Sequence, residues 1–336
     1  MSSDDSLLRI SSRERATAQT RDLARQTSQR VLWLGVALLA FLYAAGTIVG
    51  GIVLGRIALH PPRRPITAGE ERADRAAAAA DSANLEDVQL SGEDGTTLRA
   101  WLLTPHDSNG NVVILLHGVT DNRLGMFGYG RWLNRSHYAV LLPDARGHGS
   151  SEGLATYGLM EAGDIHRWVS WLEDNYHPRC VYGLGESMGA AQLLQALSKE
   201  KRFCAVVAES SFATFREVAY ARVGRAFHTG PWLGETFFRP MVDVGFLYVW
   251  FRYGHDMEKA SPSDAVAAST TPVLLIHGME DHNIPPFHSD EIQRRNPSHV
   301  VVWKVPGAAH TGASQAAPQE FERRVLEWFS THPGTS

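Results

Sequence analysis

At 336 residues the chain is long enough for one domain of about 250 residues together with appended segments. A formal net charge of −4 and a charged fraction of 20% give no basic field, so we predict no nucleic-acid partner. Two cysteines exclude a disulfide-based scaffold and a four-cysteine zinc site.

The first 55 residues combine a polar tail with a long apolar stretch. Residues 1–30 mix arginines with serine, threonine and acidic residues, which predicts a mobile or loosely helical tail. Residues 31–55 carry no charge, and as a helix they would span about 37 Å, more than the ~30 Å hydrocarbon layer of a bilayer. We interpret residues 31–55 as an uncleaved transmembrane anchor, with a cleaved signal peptide or a buried core helix as the alternatives.

The flanks of this stretch leave its orientation open. Five arginines lie within the twenty residues before the stretch and five within the twenty residues after it, so the positive-inside rule does not predict its orientation. The predicted location is a membrane, crossed once, with a slight preference for the larger domain on the non-cytoplasmic side. The pairs Gly46/Gly50 and Gly51/Gly55 have the spacing at which two membrane helices approach closely, which is compatible with a homodimer through the anchor helix.

Residues 56–84 have the composition of a linker. The run His60-Pro-Pro-Arg-Arg-Pro65 interrupts regular structure, and the alanines at 76–80 predict a short helix. The main folded domain is predicted to cover residues 85–332.

The pattern over residues 85–332 alternates between strands and helices. Alternating apolar residues on both sides of the turn Glu93-Asp-Gly95 predict a hairpin. Continuous apolar runs, typical of strands buried on both faces of a parallel sheet, occur at 112–116, 140–142, 181–184, 205–208, 273–276 and 300–303. Apolar residues at helical spacing lie between strands, as at Ile165, Trp168 and Leu172. This order predicts a mostly parallel, doubly wound α/β sheet flanked by helices.

The segment Gly185-Glu-Ser187-Met-Gly189 joins the strand at 181–184 to a helix with leucines at helical spacing. So tight a turn holds its central residue in a strained conformation, and the flanking glycines remove the Cβ atoms that would clash. The Ser187 hydroxyl is thereby raised above the sheet, and the Met188 N–H faces whatever the hydroxyl attacks. We predict that Ser187 is a nucleophile, although this pattern also arises by chance in a chain with 30 glycines.

Other strand ends supply candidate partners, because ligands of open α/β sheets lie beyond the carboxyl ends of the strands. Val119 follows His117-Gly118 at one such end, where its N–H can donate to a bound oxygen while the His117 ring is structural. Asp281 follows the strand at 273–276, and His310 lies in a glycine-flanked loop after the last strand. A serine hydroxyl needs a base, and that base needs an acid that fixes its tautomer.

Competing residues lie close to these candidates. Glu280 and His282 flank Asp281, so residue types alone leave the choice of acid open. Asp144 and His148 lie in one loop and have the chemistry of metal ligands. The glycines of that loop favour a tight turn instead, and we predict no metal.

Together these motifs resemble the α/β-hydrolase family. The resemblance covers residues 85–332 and rests on four motifs in order: His117-Gly118, Gly185-x-Ser187-x-Gly189, Gly278-x-x-Asp281-x-x-Ile-Pro and Gly307-x-x-His310. It implies that Ser187 is the nucleophile, His310 the base and Asp281 the orienting acid. It also implies oxyanion-hole N–H groups from Val119 and Met188, and no organic cofactor. The loop that begins at Asp144 resembles the serine aminopeptidase-like and lysophospholipase-like branch.

In this family an insertion after the sixth strand forms a lid, which corresponds to residues 211–262 here. This segment holds 12 aromatic residues, a proportion more than twice the 9% of the whole chain. Many of them must pack the lid onto the body. A lid this apolar also predicts an apolar pocket and a small apolar acyl or lipid-like substrate.

Cys180 and Cys204 each begin a predicted strand, and the two strands should be neighbours. We expect two buried, reduced thiols. The alternative, a disulfide, would place the domain in an oxidising compartment.

The sequence as a whole predicts a membrane-anchored serine hydrolase that cleaves a carboxylic ester, thioester or amide through an acyl-serine intermediate. The first alternative is an aminopeptidase or acyltransferase with the same three residues. The alternative from another class is a non-catalytic, membrane-tethered binding or scaffold protein.

Overall fold

The computed structural model describes the backbone of residues 4–334 and the side chains from residue 17 onward, apart from residue 18. The chain divides into two compact units, Met1–Gly50 and Gly51–Ser336.

The first unit consists of the greater part of helix α1 (Asp4–Leu59). Its apolar side chains, such as Leu34 and Phe41, are largely exposed. A stretch of α1 within Gln19–Leu59 is long and apolar enough to cross a membrane, and only 11% of it is buried. So little burial argues against a core helix. The predicted tail is helical from Asp4 onward, and residues 1–3 lie outside the described part of the chain.

The second unit begins with the last residues of α1, which ends at Leu59, four residues after the predicted span. Helix α2 (Ala68–Ala80) follows within the predicted linker and starts eight residues before the predicted alanine helix. Thr67 and Glu70 form a capping box, in which each side chain accepts a hydrogen bond from the other residue's backbone N–H. This signal, Thr-x-x-Glu, stands in the sequence and fixes the start of the helix.

The centre of the second unit is an eight-stranded sheet in the order β1-β2-β4-β3-β5-β6-β7-β8. The strands are β1 (Ala83–Ser91), β2 (Thr97–Pro105), β3 (Asn111–Leu116), β4 (Ala139–Pro143), β5 (Cys180–Glu186), β6 (Phe203–Glu209), β7 (Val273–Gly278) and β8 (Val300–Val305). The first two pair as the predicted antiparallel hairpin, β2 pairs antiparallel with β4, and the rest of the sheet is parallel. The predicted mostly parallel α/β sheet is confirmed.

Helices cover both faces of this sheet. The helices that follow β3 in the chain are α3 (Phe127–Arg135), α4 (Glu161–Asn175), α5 (Met188–Ala196), α6 (Phe215–Ala226), α7 (Pro231–Glu235), α8 (Arg239–Tyr253), α9 (Pro262–Ala267), α10 (Phe287–Arg295), α11 (Ala313–Ala316) and α12 (Pro318–Thr331). Alternate residues of β3 belong to different cores. Ile114 packs in the cluster that contains Trp168, and Leu115 in the cluster that contains Phe329. Burial on both faces explains why the strands are continuous apolar runs.

Three of the α-helices between β6 and β7, α6 to α8, lie inside the segment predicted as a lid. They carry a third apolar cluster that includes Phe215, Val242 and Phe246, together with Met188 of the sheet domain and Leu59 at the end of α1. The lid is therefore packed both on the region around the predicted nucleophile and on the last turn of α1.

Cys180 and Cys204 form a disulfide, so the expectation of two reduced thiols is wrong for this structure. The cysteines begin the neighbouring parallel strands β5 and β6, whose register shifts between Val181 and Tyr182. Their Cα atoms are 5.9 Å apart, which is a usual distance for a bonded pair.

Candidate active site

The predicted nucleophile lies at the turn between β5 and α5. Ser187 has a backbone φ of 53° and ψ of −112°, a region that non-glycine residues rarely adopt. Its backbone N–H donates to the carbonyl oxygen of Glu209 on β6 (2.8 Å), and its carbonyl oxygen accepts the first hydrogen bond of α5 from Ala191 (3.1 Å). These two bonds hold the strained residue between sheet and helix.

The two glycines of the motif are required by close approach of backbone atoms. A Cβ atom on Gly185 would lie 2.6 Å from the carbonyl carbon and oxygen of Gly189. One on Gly189 would lie 2.3 Å from the carbonyl oxygen of Leu116 at the end of β3. Contacts below 3 Å to backbone atoms cannot be relieved by a change of rotamer, so the packing of α5 on the sheet needs both glycines.

The structure brings together the three side chains predicted from separate strand ends. His310 Nε2 lies 2.9 Å from Ser187 Oγ, and His310 Nδ1 lies 2.7 Å from Asp281 Oδ2. The His310 loop reaches the end of β7 because Gly278 lacks a side chain: a Cβ atom there would lie 2.3 Å from the carbonyl oxygen of Ala308. Both distances are those of hydrogen bonds, with the imidazole between hydroxyl and carboxylate.

Asp281 is held ionised by its hydrogen bonds. Burial by itself would raise its pKa, but hydrogen bonds from His277, His310 and the Ile284 N–H outweigh that effect and lower the pKa below its usual range. Oδ1 accepts from the backbone N–H groups of Asn283 (2.9 Å) and Ile284 (2.8 Å), which leaves Oδ2 directed at His310. An anion in this position favours the His310 tautomer whose Nδ1 carries the proton and whose Nε2 can accept one.

The two predicted oxyanion-hole residues belong to segments that adjoin Ser187. Met188 is the first residue of α5 and is buried. Val119 follows Gly118, on which a Cβ atom would lie 3.7 Å from Ser187 Cβ. In the described part of the chain no acceptor bonds the N–H of Val119 or Met188. Two unoccupied backbone donors beside one hydroxyl are what a developing oxyanion needs.

Comparison with known proteins places this geometry in a family. A sequence model described as "Alpha/beta hydrolase family" matches residues 113–324. The chain belongs to the alpha/beta hydrolase family.

Several individual proteins resemble the chain over most of its length. The esterase Pf2001 of Pyrococcus furiosus is 27% identical, with a TM-score of 0.65 over 82% of this chain and 100% of that one. The uncharacterized protein YqkD of Bacillus subtilis is 29% identical over 70% of this chain and 76% of its own length. The thermostable monoacylglycerol lipase of Bacillus sp. strain H-257 is 24% identical over 67% of this chain and 93% of its own.

The other polar residues of the predicted motifs are structural in this hydrolase. His117 is buried, donates from Nδ1 to the carbonyl oxygen of Gly118 (2.7 Å), and accepts the Ala145 N–H at Nε2 (3.1 Å). With its Nε2 lone pair used as an acceptor, the ring is neutral and Nδ1 is the donor. Burial lowers its pKa. The predicted structural role of the His117 ring agrees with these contacts.

Asp144 fixes a loop. Its carboxylate accepts the backbone N–H groups of Arg123 and Ser150, both at 2.8 Å, and forms an ion pair with the Arg123 guanidinium (3.2 Å). His148 Nδ1 lies 3.1 Å from the carbonyl oxygen of Arg146 and does not contact Asp144. These contacts show Asp144 and His148 as parts of a tight turn, which is what the glycines of the loop predicted.

One cluster in the described chain has the chemistry of a metal site. Donor atoms of Glu217, His288 and Glu291 lie within 4.8 Å of one another. The Glu217 carboxylate already accepts the hydroxyl of Thr214 (2.8 Å), and His288 Nδ1 faces the Ala213 N–H at 3.4 Å. The cluster joins α6 to α10, and within the described residues its side chains form no hydrogen bond with Ser187, Asp281 or His310.

Two glutamates beside the nucleophile were not singled out from the sequence. Glu186 precedes Ser187, and burial raises its pKa to about 7. Glu209 lies opposite it on β6, and burial raises its pKa to about 8. Oε1 of Glu209 accepts the Ala313 N–H (2.9 Å), whereas Oε2 has no partner in the described part of the chain. Both glutamates end β-strands at the site edge, a positional signal that the sequence contained.

An apolar cavity of about 240 Å³ lies next to Val119. One wall comes from the end of α1 and the residues after it, and the opposite wall comes from the lid helices α6 and α8. Among the described residues that line it, Arg222 is the only one with a charged side chain. An apolar pocket is present, as predicted, but the contribution of α1 to its wall was not predicted from the sequence.

Proposed function

We propose that this hydrolase is a membrane-anchored serine esterase that cleaves a carboxylic ester through an acyl-serine intermediate. The observation that carries the proposal is the continuous hydrogen-bond chain from Asp281 through His310 to Ser187. A serine hydroxyl is a weak nucleophile at neutral pH unless a base accepts its proton as it attacks.

The proposed reaction has two halves. Ser187 Oγ attacks the ester carbonyl carbon while its proton moves to His310 Nε2, and the carbonyl oxygen becomes an oxyanion bound by the N–H groups of Val119 and Met188. Collapse of this intermediate breaks the bond to the alcohol oxygen, which takes the proton from His310. Water then attacks the acyl-serine by the same route and releases the carboxylic acid and the free hydroxyl of Ser187.

The neighbouring cavity supports an ester with an apolar acyl group. Its lining is almost entirely aliphatic or aromatic, and it begins at Val119, where the carbonyl oxygen would lie. Two of the similar proteins support an ester substrate by their names, one a monoacylglycerol lipase and the other an esterase. We infer a lipid-like ester as the substrate class.

Labelling with a fluorophosphonate probe tests the proposed nucleophile. The wild-type protein should react covalently, and Ser187→Ala should not. Ser198→Ala is a matched control, because the Ser198 hydroxyl only bonds the carbonyl oxygen of Gln195 within the body of the protein. A folded wild type that takes no label would favour the non-catalytic scaffold instead.

A substrate panel then separates the enzymatic alternatives. Esters of one alcohol with acyl groups of increasing length should be hydrolysed, with a preference for apolar chains. Aminoacyl amides should be poor substrates. The reverse order would identify an aminopeptidase, and transfer to an added alcohol in preference to water would identify an acyltransferase.

Membrane anchoring is the second part of the proposal. The exposed apolar surface of α1 supports it, because such a surface is unfavourable in water. The disulfide supports an oxidising compartment for the catalytic domain. The protein should remain with membranes in alkaline carbonate and keep its N-terminal residues by intact mass. A mature chain that starts near residue 46 would show that the stretch is a signal peptide.

A further inference from the structure

The lid helix α8 packs directly against the end of α1. A Cβ atom on Gly51 would lie 2.6 Å from the carbonyl oxygen of Met241 and 2.7 Å from Val244 Cβ. One on Gly245 would lie 2.9 Å from the carbonyl oxygen of Gly51, and one on Gly55 2.9 Å from that of Gly245. Gly51 and Gly55, which the sequence offered as a dimer contact, therefore serve the packing of α8 on the same chain.

This contact places α8 against residues 51–55, at the end of the predicted span. Gly51 and Gly55 are within residues 31–55, the segment expected in the bilayer, and α1 carries its first following charge at Arg56. If residues 31–55 span the bilayer as proposed, the contact of α8 with residues 51–55 is made at the depth where the hydrocarbon layer meets the headgroups. The charged residues of α8, Arg239, Asp243 and Arg252, suit that depth and not the centre of a bilayer.

The outward side of α8 is apolar and exposed. Leu247 is 57% exposed, Trp250 52% and Phe251 86%. Spacings of three and four residues place these side chains on one face of the helix. In water that face would be an uncovered apolar patch of the kind that marks an interaction site, whereas tryptophan and arginine at its edge are typical of membrane interfaces.

The acyl cavity lies between the same two helices. Leu54, Ile57 and Ala58 of α1 line one side, and Val242 and Phe246 of α8 line the other. Ile57 is also 57% exposed, so the lining reaches the surface beside α1. Val119 also lines the cavity, and it follows Gly118, which lies against Ser187.

We propose that α8 is embedded in the membrane interface, and that the cavity lined by α8 and the end of α1 is the portal through which the acyl chain of a bilayer lipid ester reaches Ser187. The portal rests on the proposed esterase function and on the anchor, whereas the embedding of α8 does not depend on catalysis. The substrate would move from the bilayer into the cavity without crossing water, with its ester group stopped beside Val119.

Photo-crosslinking tests the embedding separately from activity. The full-length protein in phosphatidylcholine vesicles carries the photoreactive residue benzoylphenylalanine in place of Phe251. Irradiation should give a phospholipid adduct by mass spectrometry, as should the same replacement of Leu42 within the span. The replacement of Val301, an exposed apolar residue of β8, should give none. Adducts at 42 but not at 251, or adducts at 251 to a second protein chain, would overturn the embedding.

Activity on two presentations of substrate tests the portal. In Trp250→Asp/Phe251→Asp, hydrolysis of monooleoylglycerol held in phosphatidylcholine vesicles should fall by about tenfold or more, because large apolar side chains lose their lipid contacts. Hydrolysis of a water-soluble butyrate ester should not change. Val301→Asp is the matched control and should leave both rates unchanged.

The outcomes distinguish this inference from the proposed function. Equal loss on both substrates, or no loss on vesicles, would overturn the portal while leaving the esterase intact. If neither substrate is turned over by the wild type, the esterase proposal fails and the portal fails with it, while the crosslinking result still decides the position of α8.

Discussion

The two ends of the adjacent strands β5 and β6 are built in opposite ways. At their amino ends, Cys180 and Cys204 are joined covalently. At their carboxyl ends lie Ser187, the proposed nucleophile with a strained backbone, the partly buried Glu186 and the buried Glu209, and burial raises the pKa of both glutamates. Strain and buried carboxyl groups cost stability, and proteins tolerate them where function needs them. With Ser187 acting as proposed, activity is concentrated at one end of this strand pair and stability at the other.

The largest effect should come from the carboxyl end. In Asp281→Asn, the amide can donate to His310 Nδ1, so the imidazole adopts the tautomer with a proton on Nε2 and cannot accept the Ser187 proton. We expect kcat to fall by a factor on the order of 10⁴. Ester hydrolysis by purified protein measures it. Asp290→Asn, which removes an exposed carboxylate paired with Lys304, is the control and should be nearly as active as the wild type.

At the amino end of the strand pair we expect the opposite result, in which stability changes and activity does not. Replacement of both Cys180 and Cys204 by alanine should lower the free energy of unfolding by about 3 kcal/mol, given a sequence separation of 24 residues. Activity per folded molecule should be unchanged, since the bond lies at the far end of the strands. Denaturant unfolding and initial rates provide the two measurements.

The intact mass of the wild type checks the premise of that experiment. The oxidised protein should be lighter by two hydrogens than the protein after reduction. Equal masses would restore the sequence-based expectation of free thiols and remove the contrast between the two strand ends.

Glu209 should make stability depend on pH. Its pKa is raised to about 8 by burial, so the folded protein keeps a proton that the unfolded chain loses near its ordinary value of 4.5. The folded state binds more protons between these values, and stability should therefore fall as pH rises from about 4.5 to about 8.

In Glu209→Gln this dependence should be reduced. The variant should be more stable than the wild type at pH 8, by on the order of 2 kcal/mol, and similar to it at pH 5. Glu86→Gln, at an exposed position on β1, should leave the pH profile unchanged. Thermal unfolding across this range measures both, and a wild-type profile that rises towards pH 8 would contradict the argument.

The parts of the structure that were predictable depend on local pattern. Apolar runs located the parallel strands because both faces of each strand are buried, and each site residue follows a strand end, where the topology brings Asp281 and His310 to Ser187. The disulfide was not predictable, because register and spacing of two strands decide it. The wall supplied by α1 was not predictable either. Its residues show a membrane pattern, and only tertiary packing on α8 shows that Gly51 serves an internal contact.

The smallest predicted effect concerns the cavity wall that α1 supplies. This wall is a third region, beside the two ends of β5 and β6, and a substitution in it should change substrate selectivity alone. Ala58 lines the cavity, while its backbone carbonyl holds α1 to the domain by accepting the Tyr157 hydroxyl (3.1 Å). Ala58→Phe should keep that bond and fill space that a long acyl chain needs. The ratio of kcat/KM for a decanoate ester to that for an acetate ester should fall by about tenfold, with the acetate rate unchanged. Ala79→Phe, on the exposed side of α2, is the control for added bulk. An equal fall in kcat/KM for both esters would mean that the substitution disturbs the whole site, because an acetyl group is too short to contact the wall that α1 provides.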